Sequence, residues 1–258
     1  TGPTYGNRHP IKAWSLPLEE GAAPDREFGY DQSPNLSLDI SSDSQSVLTS
    51  ATDGWVALTP LAGDEGSAGG GSVGFVASSH RNRVFSAAFS SNDQWIVTAG
   101  EDGVVRVWNT AAARDNASTV SESMRIESHE GPVYAATFTP SGRHVISGGR
   151  DRQILATPFD PESAREATYS PIETIRTRLI KGTSNVQRSQ SLGLGEHEAA
   201  VRFLELVSDD AFLFSGGQDH TVRVWDLSEG IEQASLEKTL RGHGGWVASC
   251  LVVPGDDD

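Results

Sequence analysis

A single cysteine, Cys250, stands in the 258 residues, so no intramolecular disulfide framework organises this chain. It is followed by Leu251, Val252 and Val253, the setting of a small buried strand residue and not of a reactive thiol. One cysteine fits a reducing compartment, and the expected location is the cytoplasm. No apolar run approaches the roughly 18 residues of a membrane span, and no signal-peptide pattern opens the chain. Cationic charge is also scarce, with 20 Lys+Arg against 35 Asp+Glu and a formal net charge of −15. Phosphate backbones need cationic surface, so a general nucleic-acid or anionic-membrane binder is not expected. Two catalytic contexts are missing too. None of the repeated serines stands in a strained G-x-S-x-G turn, and the SAGGGS run at 67–72 has no following helix to make it a phosphate loop.

What the chain does have is glycine, 27 residues of it, and a recurring hairpin. Residues 212–227 read FLFSGGQDHTVRVWDL: a short buried strand, a Gln218-Asp219-His220 turn, then an alternating strand that ends in Trp225-Asp226. Aligned on the turn Asp, the same hairpin returns as VTAGEDGVVRVWNT at 97–110, where Asp102 precedes Trp108 by six residues. ISGGRDRQILATPF (146–159) and LTSATDGWVALTPL (48–61) keep Asp151 and Asp53 but carry Thr157 and Thr59 for the Trp. TYGNRHPIKAWSL (4–16) has Arg8 at the turn and Trp14 six residues on. A Ser or Thr lies four residues before each turn: Thr4, Thr49, Thr98, Ser147 and Ser215. His80, His129, His197 and His243 each precede a Val by four residues, and three of those Val lie 18 residues before a turn Asp.

The unit is thus His, strand, turn, strand, Asp turn, strand, Trp. It resembles the WD-repeat family, whose repeats run from a Gly-His pair to a Trp-Asp pair. Gly242-His243 and Trp225-Asp226 match both dipeptides, and Ser79-His80, Ser128-His129 and Trp108-Asn109 match loosely. The resemblance covers nearly the whole chain and implies an all-β fold: a β-propeller of four-stranded antiparallel blades with negligible helix. Blade cores fall at 31–61, 80–109, 129–159 and 197–227, with partial blades at 1–16 and 236–253. Residues 62–72 read as a flexible loop, and the acidic end 256–258 as an interrupted turn. The long exit 158–196 explains why the Asp spacing, 49 residues twice, stretches to 68. The first residue is Thr and the ends are ragged, so the expectation is one propeller segment, an incomplete ring, cut from a longer protein. LRGHGGWVASC at 240–250 looks like repeats of bacterial multidomain WD-repeat proteins, some of which carry a serine/threonine kinase domain.

In this family the repeated His, Ser/Thr, Asp and Trp form a hydrogen-bonded chain inside each blade. Carried over by position, the resemblance gives His80–Thr98–Asp102–Trp108 and His197–Ser215–Asp219–Trp225. Such a set suggests a hydrolase triad only superficially, because it recurs and its serine lies mid-strand. No catalytic, cofactor or metal residue is assigned, and no cofactor is expected. The implied role is a non-catalytic scaffold that binds a protein or peptide; a regulatory domain of a larger enzyme, or a propeller enzyme, are the alternatives. The resembled connectivity turns the residues three and five after each His, and the one before each turn Asp, toward one face. From that set Arg83, Phe85, Glu101, Tyr134, Arg150, Arg202, Gln218 and Trp246 are the candidate partner-binding residues, types frequent at interfaces. The partner they suggest is acidic or phosphorylated. The basic cluster Arg176, Arg178, Lys181 and Arg188 reads as a solvated loop.

Overall fold

The computed structural model describes residues 11–14, 23–24, 26–28, 33–61, 74–76, 80–111, 122–168, 186–187, 191–207 and 211–251. The proposed turn at Arg8, the loop 62–72, the basic cluster and the acidic end lie outside them, as does Ser79. Strands β1 (Ile11–Ala13) and β2 (Arg26–Phe28) pair antiparallel. The first blade is β3 (Asn35–Ile40), β4 (Ser46–Ala51), β5 (Val56–Pro60) and β6 (Gly74–Val76), hydrogen-bonded in that order. The second is built on β7 (Val84–Phe89), β8 (Trp95–Gly100), β9 (Val105–Asn109) and β10 (Glu122–Ile126).

The third blade starts with β11 (Val133–Phe138), β12 (His144–Gly149) and β13 (Gln153–Pro158). The chain then leaves it through helix α1 (Pro161–Thr168) and the two-residue β14 (Val186–Gln187), and returns as β15 (Leu192–Glu196) to complete the sheet. The fourth comprises β16 (Val201–Val207), β17 (Phe212–Gly217), β18 (Val222–Asp226) and β19 (Ser235–Leu240). This is an all-β propeller of four antiparallel blades, and α1 is a helix of about two turns. One blade departs from four strands: β14 adds to the outer edge of β10 in parallel, giving the second blade a fifth strand. The helix starts at a legible signal, since the Asp160 carboxylate accepts the Glu162 N–H at 3.1 Å and Pro161 opens the first turn.

The cores lie between blades. Leu48, Val56 and Leu58 of the first meet Val84, Ala87, Phe89 and Ile96 of the second. The other side of the second blade, with Trp95, Val97 and Val105, meets Val133, Ala136 and Phe138, and Ala164 of α1 joins this cluster. Ile146 and Ile154 of the third meet Val201, Leu213 and Trp225 of the fourth. Beyond the fourth, Phe203 and Val222 are covered by Val247, with Cys250 packed alongside. The innermost strands β3, β7, β11 and β16 therefore pack in succession, each on the one before.

Candidate functional site

Each intact unit folds its repeated polar residues into one chain. In the second blade His80 Nδ1 lies 3.0 Å from Asp102 Oδ1 and Nε2 lies 2.8 Å from Thr98 Oγ1. The Trp108 indole N–H donates to that hydroxyl at 3.0 Å. In the fourth blade the distances are 2.8 Å for His197–Asp219, 2.8 Å for His197–Ser215 and 2.7 Å for Trp225–Ser215. In the fourth blade these contacts are all met when Nδ1 donates to the carboxylate and Nε2 accepts from the hydroxyl. Burial holds the His80 and His197 imidazoles below their ordinary pKa, against the pull of the neighbouring Asp102 and Asp219. Burial would raise Asp102, yet the hydrogen bond from His80 and the charge of Arg106 bring it well below the usual carboxylate range.

The third blade keeps His129 bound to Asp151 at 2.9 Å and to Ser147 at 2.8 Å. Its Thr157 replaces the indole and turns outward to Ser191 at 2.8 Å, while Ser191 also meets Ser128 at 2.7 Å. In the first blade Thr59 holds the Trp position, and its hydroxyl is buried without a partner among the described residues. Sequence reasoning missed one member. Arg106, four residues after Asp102, is 2% exposed and donates to Asp102 at 2.9 Å and to Glu122 at 3.1 Å. The signal was present, because Arg223 follows Asp219 at the same interval and bonds the Glu196 carbonyl at 2.7 Å.

The residue after each turn Asp is left-handed: Gly54, Gly103, Arg152 and His220 have φ of 91°, 76°, 73° and 63°. These turns carry the residue before the Asp. The N–H of Glu101, Arg150 and Gln218 donates at 2.8, 2.8 and 2.9 Å to the carbonyls of Arg83, Pro132 and Ala200. The structure thus brings residues from both predicted sets together at one end of each blade.

A second regularity lies next to these bonds. Every pairing of a first strand with its second slips by one residue at the same place, between Asn35 and Ser37, Val84 and Ser86, Val133 and Ala135, and Val201 and Phe203. The skipped residues are Leu36, Phe85, Tyr134 and Arg202. A bulge re-aims the extra side chain, and three of these four touch across blades. The Phe85 and Tyr134 rings meet edge-on with centroids 5.0 Å apart. The Arg202 guanidinium lies over the Tyr134 ring at 4.2 Å and stands 5.9 Å from the ring of Trp246. Trp246 is 65% exposed. Arg83 lies 3.9 Å from Glu101, whereas Arg150 and Arg202 have no carboxylate partner among the described residues.

Asp39 and Glu205 sit on β3 and β16, the innermost strands of the first and fourth blades. Burial raises both pKa values, and Asp39 adds its repulsion to Glu205. Asp39 is also structural, accepting the Phe89 N–H of the next blade at 2.8 Å. Among the described residues no group of three or more His, Cys, Asp or Glu is placed to hold a metal ion. No helix among them is long and apolar enough to cross a membrane.

The radial blades, three of them with an internal polar chain, define a β-propeller. Residues 72–109, 121–155 and 188–226 match the family model described as "WD domain, G-beta repeat", so these stretches are WD repeats. The chain is 41% identical over 64 residues to the human WD repeat and SOCS box-containing protein 1, covering 24% of this chain and 14% of that protein. It is 37% identical over 62 residues to the methylosome protein WDR77 of Xenopus laevis, covering 24% of this chain and 17% of the other. The matched region is therefore a small fraction of either curated relative.

Proposed function

We propose that this propeller is a non-catalytic platform that docks a partner protein through an extended acidic or phosphorylated segment. The docking face is the end of the blades that carries the Asp turns. The observation that carries this reading is the stack Phe85–Tyr134–Arg202, one bulged residue from each of three consecutive blades, with exposed Trp246 at its end. Aromatic and Arg side chains dominate interface energetics, and a set held by backbone geometry loses little freedom on binding. Arg83, Arg150 and Arg202 supply cations in a chain that is otherwise acidic, which draws anionic segments to this face and away from the rest of the surface. The polar chains inside the blades serve stability, being buried and spent on one another. The two relatives carry WD-repeat names and, in one case, a multiprotein assembly in the name, which agrees with a docking role.

The test is a pull-down from the native proteome with wild-type protein and the double variant Arg150→Glu, Arg202→Glu, each first shown to melt at the same temperature. The expected result is loss of most captured partners by the variant. Full retention by the folded variant would remove this face as the main docking site.

A further inference from the structure

The three arginines of the docking face are not equivalent. Arg83 has a side chain that is 56% exposed, with the Glu101 carboxylate 3.9 Å away. Arg150 is exposed and has no ion pair among the described residues. Arg202 differs: a bulge lies beneath it, and its guanidinium carbon stands 4.2 Å over the Tyr134 ring centroid and 5.9 Å over that of Trp246. A stacked guanidinium uses its π face for the rings and leaves its N–H donors around the edge, in one plane. That geometry fits a planar carboxylate bidentately. A tetrahedral phosphate dianion draws on several convergent cations, and only one is fixed here. Glu205 lies three residues further along β16 and so about 10 Å away, an acidic neighbour whose repulsion grows with the charge of the bound group. The exposed indole of Trp246 beside the guanidinium offers apolar surface to whatever follows the anion.

We infer that the partner segment is recognised through an unmodified Asp or Glu side chain gripped edge-on by Arg202, next to an aliphatic or aromatic residue packed on Trp246. This rests on the docking reading above and specifies its ligand. Arg202 is the specificity residue, while Arg83 and Arg150 contribute long-range attraction.

The experiment is an NMR titration of the 15N-labelled protein, following the Arg202 Nε–H and Trp246 indole N–H signals. The probes are short peptides in one neutral Gly/Ser frame, bearing Glu-Leu, Gln-Leu, Glu-Gly or phosphoserine-Leu at the centre. The expected result is that the Glu-Leu peptide shifts both signals and binds about tenfold tighter than Gln-Leu, with Glu-Gly in between. Arg202→Lys, which keeps the charge and loses the plane, weakens Glu-Leu binding by about tenfold, whereas Arg150→Gln changes it by less than about twofold. Tighter binding of the phosphoserine peptide, or equal losses from Arg150→Gln and Arg202→Lys, overturns the inference and leaves the docking reading standing. If none of the four peptides moves either signal in protein that melts normally, both readings fall.

Discussion

A buried hydroxyl is worth having only when it is bonded, and Thr59 and Thr157 show the two outcomes of losing the repeat's Trp. Thr157 found Ser191, while Thr59 Oγ1 found nothing among the described residues. Thr59→Val keeps the shape and removes the orphan, so it is expected to stabilise the protein by about 1 kcal/mol, read from urea unfolding. Trp225→Phe does the reverse, stripping the Ser215 hydroxyl of its donor and leaving a gap, and is expected to cost about 2–3 kcal/mol. The titrations have a defined sign. His80 and His197 have depressed pKa values, so their contribution is present above the ordinary imidazole value of about 6.5 and is lost as pH falls below it. Asp102, Asp151 and Asp219, also depressed, withdraw theirs at lower pH still. Glu205 is raised, so it opposes folding once ionised, and Glu205→Gln is expected to raise stability at pH 7 while leaving it little changed at pH 4. Equal gains at both pH values would show that the carboxylate charge is not the cause. Of these residues the tetrads were legible through the family resemblance, which implies a hydrogen-bonded chain for the repeated His, Ser or Thr, Asp and Trp. The Arg106 link was not read, because Arg106 lies within an alternating strand, where a polar residue is ordinarily solvated.

At the scale of elements, a turn Asp with a Ser or Thr four residues before it marks two strands at once. The residue after that Asp must be left-handed, which glycine does without strain and other residues do at about 1–2 kcal/mol. Gly54 and Gly103 meet the demand, and Arg152 and His220 bear the strain. Arg152→Gly is therefore expected to stabilise the third blade by about 0.5–1 kcal/mol after the extra chain entropy of glycine. Gly54→Ala is expected to destabilise beyond the cost of φ alone, since a Cβ there would sit 2.6 Å from the His80 carbonyl oxygen of the next blade. Thermal melts of both variants check the pair, and a destabilising Arg152→Gly would refute the strain argument. What spacing could not reveal was β14. Two residues carry no periodic signal, and the long exit from the third blade adds them to the edge of the second by backbone pairing. The helix α1 did have a signal, Asp160-Pro161-Glu162, which was hidden inside the stretch read only as a long exit.

Across the whole molecule, blades are coupled by packing and by a few polar bridges between innermost strands. The Ser37 hydroxyl accepts the Ala87 N–H at 3.0 Å, and the Ser86 hydroxyl accepts the Ala136 N–H at 3.3 Å. Both bridges lie at one repeat position, fifty residues between partners each time. The third serine bridge is absent because Ala135 takes that position on β11, and the third and fourth blades are joined instead by apolar packing, by Arg202 over Tyr134 and by the Arg223 bond to the Glu196 carbonyl. The ends of the series differ from its middle. Leu38 and Ile40 of β3 are 50% and 51% exposed, where Ala87 and Phe89, at the equivalent register of β7, are 5% and 9%. The second and third blades are thus packed on both faces along their innermost strands, and β3 on one. Local opening follows buried contact, so amide hydrogen exchange is expected to be slowest in β8 and β12 and faster in β3. Ser86→Ala is expected to cost about 1 kcal/mol by leaving the Ala136 amide without its acceptor, and to speed exchange of Ala136 ahead of amides in the first blade. A variant whose exchange rises uniformly across all four blades would mean that the propeller opens as one unit, and that the serine bridge does not locally join the second blade to the third.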